Sequence, residues 1–212
     1  MVEAPLVLPR ALQELDLSRS DLESLGDLLS AENKKYGDLK QGGACTIDTD
    51  IQPGVLYTVR TVKAGDEVIT LTSFMLHDNP EDNAKWGGPF VSIHFRENLP
   101  ELFSIVSEFD RWKAFLHALG SDLYCLAQIL KEGNLRGVRM IVGLTTLSAK
   151  WGENHGFSTH IYSTDHDEIE EHLRSVGLPF QGRWPPLTIF VHQTHTFIEE
   201  FLGKSRTIPR VN

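Results

Sequence analysis

Cysteine is scarce in this chain of 212 residues, which has only Cys45 and Cys125, far apart in sequence. A disulfide framework is therefore excluded, and two lone thiols are typical of a protein from the reducing cytoplasm. A chain of this length buries enough apolar surface to fold without disulfides or a metal. Cys125 falls in an apolar helical pattern and is expected to be a small core residue. Cys45 lies in a glycine-rich stretch with no base nearby in sequence, so a reactive thiol is the less favoured of its two interpretations.

Long apolar runs are also missing. The longest, such as 140–142 and 187–191, fall far short of the roughly 20 residues that a membrane helix needs. The N-terminal stretch has an early acid and a proline, and it lacks the basic start and apolar core of a signal peptide. We therefore expect a cytoplasmic protein without a membrane span.

Clusters of lysine and arginine are absent as well. The chain carries 20 Lys and Arg against 29 Asp and Glu, which gives a formal net charge of −9. Nucleic-acid binding and attachment to anionic membranes both depend on basic patches, so neither partner is expected. No Walker loop, dinucleotide fingerprint or Ser/His/Asp order is present either.

The hydrophobic fraction of 41% is ordinary for a globular protein. The pattern divides the chain into an N-terminal arm at 1–19, a single mixed α/β domain at 20–203 and a loose tail at 204–212. Ser20 and Glu23 form a capping-box pattern that predicts the start of the first helix, which should stop near 36–37. Residues 37–54 and 77–88 are expected to be loops.

A β-hairpin is predicted from strands at 55–62 and 67–75, with Gly65 in the turn. The remaining segments alternate. Strands are expected at 90–95, 138–145, 157–162 and 187–192, and helices at 100–108, 110–132, 147–154, 165–176 and 196–202. The strand at 138–145 is apolar on both faces, which favours a central position. A hairpin followed by alternating elements predicts a mixed α/β (α+β) sheet covered by helices.

Residues 138–162 pass from a strand through a short helix to Gly156 and Phe157, which open the next strand. This order resembles the second half of the GNAT family of N-acyltransferases, and the hairpin fits that family's antiparallel half. The resemblance implies a GNAT-like three-layer fold, transferase activity on a small molecule and acyl-CoA as a candidate cofactor. The family's glycine-rich turn, which binds pyrophosphate at a helix N-terminus, has no counterpart in residues 96–100. Gly152 stands where the family commonly has tyrosine.

A second resemblance covers residues 64–202. It depends on Gly65-Asp66-x-Val68, on Arg111 followed by Phe115, Leu116 and Leu119, on residues 142–145, and on Gly156-Phe157. These short motifs resemble the YkoP-like domains, which are small bacterial domains of unknown biochemical role, sometimes attached to polysaccharide deacetylases. This resemblance implies no functional residues.

Thr145 and Thr146 end the predicted central strand. Ligands of open α/β sheets bind at the carboxyl ends of strands, and the following helix N-terminus favours anions. We therefore predict a small-molecule contact at this turn, with Thr146 acting as a helix cap as the alternative. Trp86 and Trp151 lie in polar, glycine-containing surroundings. They are candidates to line a pocket, or else they seal the edge of the core.

Nine histidines are present, and His94, His160 and His192 fall on predicted strands. His192 or His94 is the candidate general base, because imidazole titrates near neutral pH. His160, His192 and His195 are the alternative zinc ligands, although the helical zinc-protease spacing is missing. Structural or surface roles are the interpretation that strand histidines favour, because they more often face solvent or form a hydrogen bond within the core.

The leading functional hypothesis is therefore a GNAT-like, acyltransferase-related enzyme that acts on an unknown small molecule. The alternative is a non-catalytic binding or scaffold domain, for which a homodimer is one form. A histidine-ligated zinc protein ranks third.

Overall fold

The computed structural model describes residues 15–35, 38–59, 62–64, 67–69, 72–95, 111–133, 135, 137–176 and 184–203. The helices within these ranges are α1 (Arg19–Lys34), α2 (Pro80–Trp86), α3 (Arg111–Glu132), α4 (Ala149–Asn154), α5 (His166–Ser175) and α6 (Thr194–Ile198), which continues into a π-helical turn (Glu199–Gly203). The strands are β1 (Gln41–Ala44), β2 (Leu56–Thr58), β3 (Val62–Ala64), β4 (Glu67–Ile69), β5 (Thr72–His77), β6 (Phe90–Phe95), β7 (Met140–Thr145), β8 (Ser158–Ser163) and β9 (Leu187–Gln193). No helix in these ranges is both long and apolar enough to cross a lipid bilayer.

Seven strands form one mixed sheet in the order β1-β2-β5-β6-β7-β9-β8. The pairs β1–β2 and β6–β7 are parallel, and the other four pairs are antiparallel. β7 lies between β6 and β9, which confirms the predicted central position of this strand. The α/β class with a mixed sheet is also confirmed.

The two predicted hairpin strands do pair in the antiparallel direction. β3 and β4 pair with Val62 opposite Ile69, and β2 and β5 pair with Leu56 opposite Met75. Both pairs follow one continuous antiparallel register, since the two residue numbers in each pair have the same sum. Gly65, assigned to the turn, lies outside the described residues.

Helices cover both faces of the sheet, which gives the predicted three-layer arrangement. Alternate residues of β7 point to opposite faces. Met140, Val142 and Leu144 pack with the apolar residues of α1 and α5. Ile141 packs on the other face with α3, α6 and the π-helical turn. We call these two surfaces the α1 face and the α3 face.

The N-terminal prediction needs two corrections. Ser18, not Ser20, is the N-cap of α1, and it forms a capping box with Asp21. The capping box predicted at Ser20 is wrong, because the helix begins earlier and Ser18 and Asp21 form the box instead. Leu15 and Leu17, which fall in the predicted N-terminal arm, are buried on the α1 face.

The loop predicted at 77–88 is also wrong, because it contains α2. Asn79 accepts a hydrogen bond from the Asp82 N–H, Pro80 occupies the first turn, and Gly87 ends the helix with a left-handed φ of 72°. This combination is a helix start and stop signal. The loop predicted at 37–54 is wrong in part, since it contains β1.

The later elements match in type and shift by a few residues at their ends. α4 begins at Ala149 rather than 147, β9 extends to Gln193, and α6 begins at Thr194 before changing to π-helical pairing. Gly133 follows the end of α3 as predicted. The helix predicted at 100–108 lies outside the described residues.

Gly26 allows α1 to approach the sheet closely. A Cβ at this position would collide with the ring of Tyr162 and lie 3.0 Å from Cδ1 of Ile189. Gly26→Ala is therefore expected to lower the free energy of unfolding by about 1–2 kcal/mol, because overpacking outweighs the better helix propensity of alanine. Gly120→Ala in α3 is the control, since nothing lies within 4 Å of its Cβ. It should stabilise by up to about 1 kcal/mol in urea denaturation, and equal effects of both changes would contradict this packing account.

Candidate functional site: an apolar cavity and a buried polar cluster

The sheet opens between β6 and β7 at their carboxyl ends. The parallel register runs from Phe90 opposite Met140 to Ile93 opposite Gly143, yet both strands continue for two more residues. β6 stays paired with β5 through Phe95, and β7 stays paired with β9 through Thr145. The two halves of the sheet therefore separate along this line.

A cavity lies beside this opening on the α3 face. Its empty volume is about 350 Å³, which includes the space at its opening to solvent. The volume within which the centre of a water molecule fits is about 30 Å³. This is room for two or three waters, at about 10–15 Å³ each. The lining residues are Ile93, Leu119, Leu123, Gly143, Thr145, Leu147, Trp151, Phe157 and Phe190. They include a single hydroxyl and no charged side chain, so the cavity suits a slender apolar group.

Gly143 helps to create this space. A Cβ at Gly143 would lie 3.7 Å from the carbonyl oxygen of Ile93 and 3.9 Å from its Cβ, which are ordinary contacts. An alanine therefore fits the backbone and puts its methyl group next to the cavity. Trp151 forms another wall, with its ring stacked 4.3 Å from that of His155 and 6.1 Å from that of Phe190.

Two of the four predicted ligand contacts line the cavity. Thr145 is buried there, and its Oγ1 accepts a hydrogen bond of 3.1 Å from the Leu147 N–H. Trp151 is the second. Thr146 is not among the lining residues, and its alternative role as a helix cap is wrong, because Ser148 caps α4 through the Trp151 N–H.

Trp86 belongs to a different part of the fold. It ends α2 on the α1 face, where its ring meets Phe90 edge-on at 6.3 Å and is almost fully buried. The loop placement that made it a candidate is wrong, and its position is that of a core residue.

A buried polar cluster occupies the α1 face next to β6. Ser92 Oγ lies 2.7 Å from His94 Nε2 and 2.9 Å from His77 Nε2. The Glu32 carboxylate reaches both imidazoles, with Oε1 3.3 Å from His77 Nε2 and Oε2 3.4 Å from His94 Nε2. Asp82 Oδ2 lies 3.6 Å from His77 Nδ1. We define the polar cluster as these five residues together with Asn33 and His172.

Asn33 connects the cluster to α5. His94 Nδ1–H donates to Asn33 Oδ1 at 2.9 Å, and Asn33 Nδ2–H donates to His172 Nδ1 at 3.5 Å. Burial, followed by the positive charge available at His94, lowers the pKa of His172 to about 4. Burial is also the main cause that lowers the pKa of His77, although Glu32 partly opposes it.

His94, predicted as a base, is thus a cluster member with 1% of its surface exposed. It does not line the cavity, because it points to the other face of β6 from Ile93.

His192, the other predicted base, lies on the α3 face outside the cavity lining. Its Nδ1–H donates to the Gln193 carbonyl at 3.0 Å, and its Nε2 is buried without a well-formed hydrogen bond to the described residues. Burial lowers the pKa of this imidazole. A Cβ at Gly156 would lie 2.8 Å from Nε2, and Gly156 has a φ of 79°, so both contact and backbone require glycine there. His94 and His192 lie on opposite faces and cannot serve one site together.

The zinc hypothesis is contradicted by the strand faces. His160 is paired with Ile189, which packs on the α1 face, whereas His192 lies on the α3 face. Because directly paired residues share a face, His160 cannot meet His192 and His195 around one ion. Within the part of the chain that the structure describes, no group of three or more suitable side chains could hold a metal.

Cys45 is a poor candidate for a reactive thiol. The side chain is buried, and its Sγ–H donates to the Thr46 carbonyl at 3.4 Å. Burial raises the pKa of this thiol, which lowers the thiolate fraction at neutral pH. Cys125 is partly buried and packs against the core, as predicted.

The sequence-based prediction missed the cluster apart from His94. One signal was available: Ser92 and His94 interrupt the α1-facing side of an apolar strand, and buried polar residues on such a face need partners. The sequence does not say which residues provide them.

The fold and cavity define a three-layer α/β protein with an apolar crevice between two diverging strands. Comparisons with family models, with curated proteins and with solved structures found no match for this chain.

Proposed function

We propose that this chain binds the acyl group, or a similar slender apolar arm, of a small molecule in the cavity and acts as a GNAT-like acyltransferase. The observation that carries the proposal is the place of the cavity, at the carboxyl ends of β6 and β7 where the two strands part. Ligands of open α/β sheets bind in such crevices. The order β7, α4, Gly156-Phe157, β8 supports the same family likeness.

Acyl transfer needs a base to accept the proton of the attacking nucleophile. None of the described residues that line the cavity is titratable, so in this proposal the base reaches the reacting group through the opening between the strands. The polar cluster lies on the other side of β6, where His94 directly follows the cavity residue Ile93 in sequence. We therefore favour a base from this cluster over His192, whose imidazole is enclosed by Phe157 and Phe197.

Acyl-CoA is the donor that this proposal tests first. Because residues 96–100 contain no glycine, pyrophosphate binding should contribute little, and the apolar arm should carry most of the affinity. We place the activity in the cytoplasm, in keeping with two cysteines that form no disulfide.

The first experiment measures thermal unfolding with acetyl-, butyryl- and hexanoyl-CoA. A ligand at 100 times its Kd adds about 2.7 kcal/mol of stability. Gly143→Ala should weaken binding about tenfold or more, since forcing an extra methyl group against a seated ligand costs about 1–3 kcal/mol. Gly43→Ala in β1 is the matched strand control, with nothing within 4 Å of its Cβ. The proposal fails if no acyl-CoA stabilises the protein, or if Gly143→Ala binds as the unaltered chain does.

A non-catalytic binding domain is the second candidate, and the lack of titratable side chains among the described lining residues favours it. Release of free thiol from a bound acyl-CoA in the presence of amines separates the two: turnover supports the enzyme, and binding without turnover supports the domain. Light scattering during size exclusion tests the homodimer that such a domain could form.

A further inference from the structure

We propose that Glu32, His77 and His94 form a proton-relay site that holds one extra proton, which moves between the two imidazoles through the hydroxyl of Ser92. This proposal is independent of the acyl-binding proposal, because it concerns protons bound by the folded chain itself.

The charge of Glu32 is the first argument. Its side chain is 12% exposed, and its Oε2 is buried without a hydrogen bond among the described residues. A buried carboxylate is costly unless a positive group pairs with it. Its ion-pairing neighbours in the described part of the chain are His77 and His94. A proton on one imidazole provides the compensating charge.

The geometry around Ser92 is the second argument. Its oxygen lies within 3 Å of Nε2 of both His77 and His94, yet a hydroxyl has a single hydrogen to donate. When Ser92 donates to one imidazole, the other imidazole has to donate to Ser92. At least one of the two Nε2 atoms therefore carries hydrogen at any moment.

Asn33 fixes which nitrogen of His94 takes part. Its carbonyl oxygen accepts from His94 Nδ1–H, while its amide N–H faces His172. In one state His94 is neutral, Ser92 donates to His94 Nε2, and His77 is doubly protonated. In the other state, the His77 Nε2 proton has moved to Ser92 Oγ, and the hydroxyl proton has moved to His94 Nε2. The number of protons is the same in both states.

The neighbouring groups limit the site to one extra proton and give it an exit. His172, on α5, accepts from Asn33 and stays neutral, because burial, followed by the charge of His94, lowers its pKa. Burial is also the main cause that lowers the pKa of His77, and the charge of His94 lowers it further. The outlet is Asp82 on α2, whose side chain is 20% exposed near His77 Nδ1. Around the site, Ser73 of β5 lies opposite His94, and the Lys34–Glu171 ion pair links α1 with α5 at the surface.

Long-range ¹⁵N–¹H NMR of the imidazole nitrogens tests the proposal on the whole protein between pH 5 and 8. We expect Nε2 of His77 and of His94 to show averaged signals that change together through one shared titration. Glu32→Gln should move the shared titration to lower pH, because the amide does not stabilise the extra positive charge as the carboxylate does. Ser92→Ala should split the averaged signals into one fixed state for each histidine.

Two control variants separate this relay from ordinary packing. Ser121→Ala, at an exposed serine of α3, should leave all the imidazole signals unchanged. His172→Gln should keep the shared titration, because His172 accepts from Asn33, whereas the proton path runs from His77 through Ser92 to His94. Independent titration of His77 and His94 in the unaltered protein would overturn the proposal, as would a shared titration that is unchanged in Glu32→Gln. Glu32→Gln keeps the shape of the side chain, so the proposal can be tested even if Ser92→Ala does not fold.

Discussion

Replacing Phe157 with alanine is expected to lower the free energy of unfolding by about 3–5 kcal/mol. Phe157 is 6% exposed and lies at the entry to β8. Its ring centroid lies 4.9 Å from that of His192, 5.6 Å from that of Phe190 and 6.1 Å from that of Phe197. Such ring pairs stabilise by about 0.5–1.5 kcal/mol beyond the area that they bury. The substitution also removes one wall of the cavity.

Urea denaturation measures this loss, and Ile161→Ala provides the control. Ile161 lies on β8 with 55% of its surface exposed, so its truncation should change stability by no more than about 0.5 kcal/mol. A loss below about 1 kcal/mol for Phe157→Ala would contradict the large contribution assigned here to the ring contacts of Phe157.

The layered core was predictable because its pattern is strong. β7 is apolar on both faces, and α3 has apolar residues at steps of three and four over six turns, so both were found with small errors at their ends. Short polar elements gave weaker signals. α2 has seven residues and buries only Trp86, so its polar composition suggested a loop although Asn79 and Pro80 mark a helix start.

The candidate site was predictable only in part. Thr145 and Trp151 were found because the end of a central strand is a general place for ligands. The cavity itself depends on where the pairing of β6 and β7 stops, which is a register between strands about fifty residues apart. A single sequence does not encode that register in any local pattern.

The polar cluster could not be predicted from the sequence for a related reason. Asn33 contacts His94 across 61 residues and His172 across 139 residues. Each residue alone has an ordinary local explanation, such as the end of a helix or a polar position on a strand. Only the packing of α1 and α5 onto one face of the sheet brings them together.

Lowering the pH from 6.5 to 4 is expected to remove about 3 kcal/mol of stability through His172 alone. Burial holds the pKa of this imidazole near 4 in the folded chain, whereas 6.5 is its ordinary value. Between these values the unfolded chain binds more protons than the folded chain, so this contribution is fully present above pH 6.5 and disappears as the pH falls toward 4. His77 and His192, whose pKa values are also lowered, add to the loss in the same direction.

Comparing His172→Gln with His166→Gln isolates this contribution. His166 lies on the same helix, with 69% of its side chain exposed, so its replacement should leave the pH dependence unchanged. His172→Gln should reduce the slope of the unfolding free energy against pH by up to about 1.4 kcal/mol per pH unit between pH 6 and 4.5. This change in slope is expected whatever the effect of the substitution on stability at pH 7. Carboxylates that titrate in this range are common to both variants and cancel in the difference. Equal slopes for the two variants would contradict the lowered pKa of His172 in the folded chain.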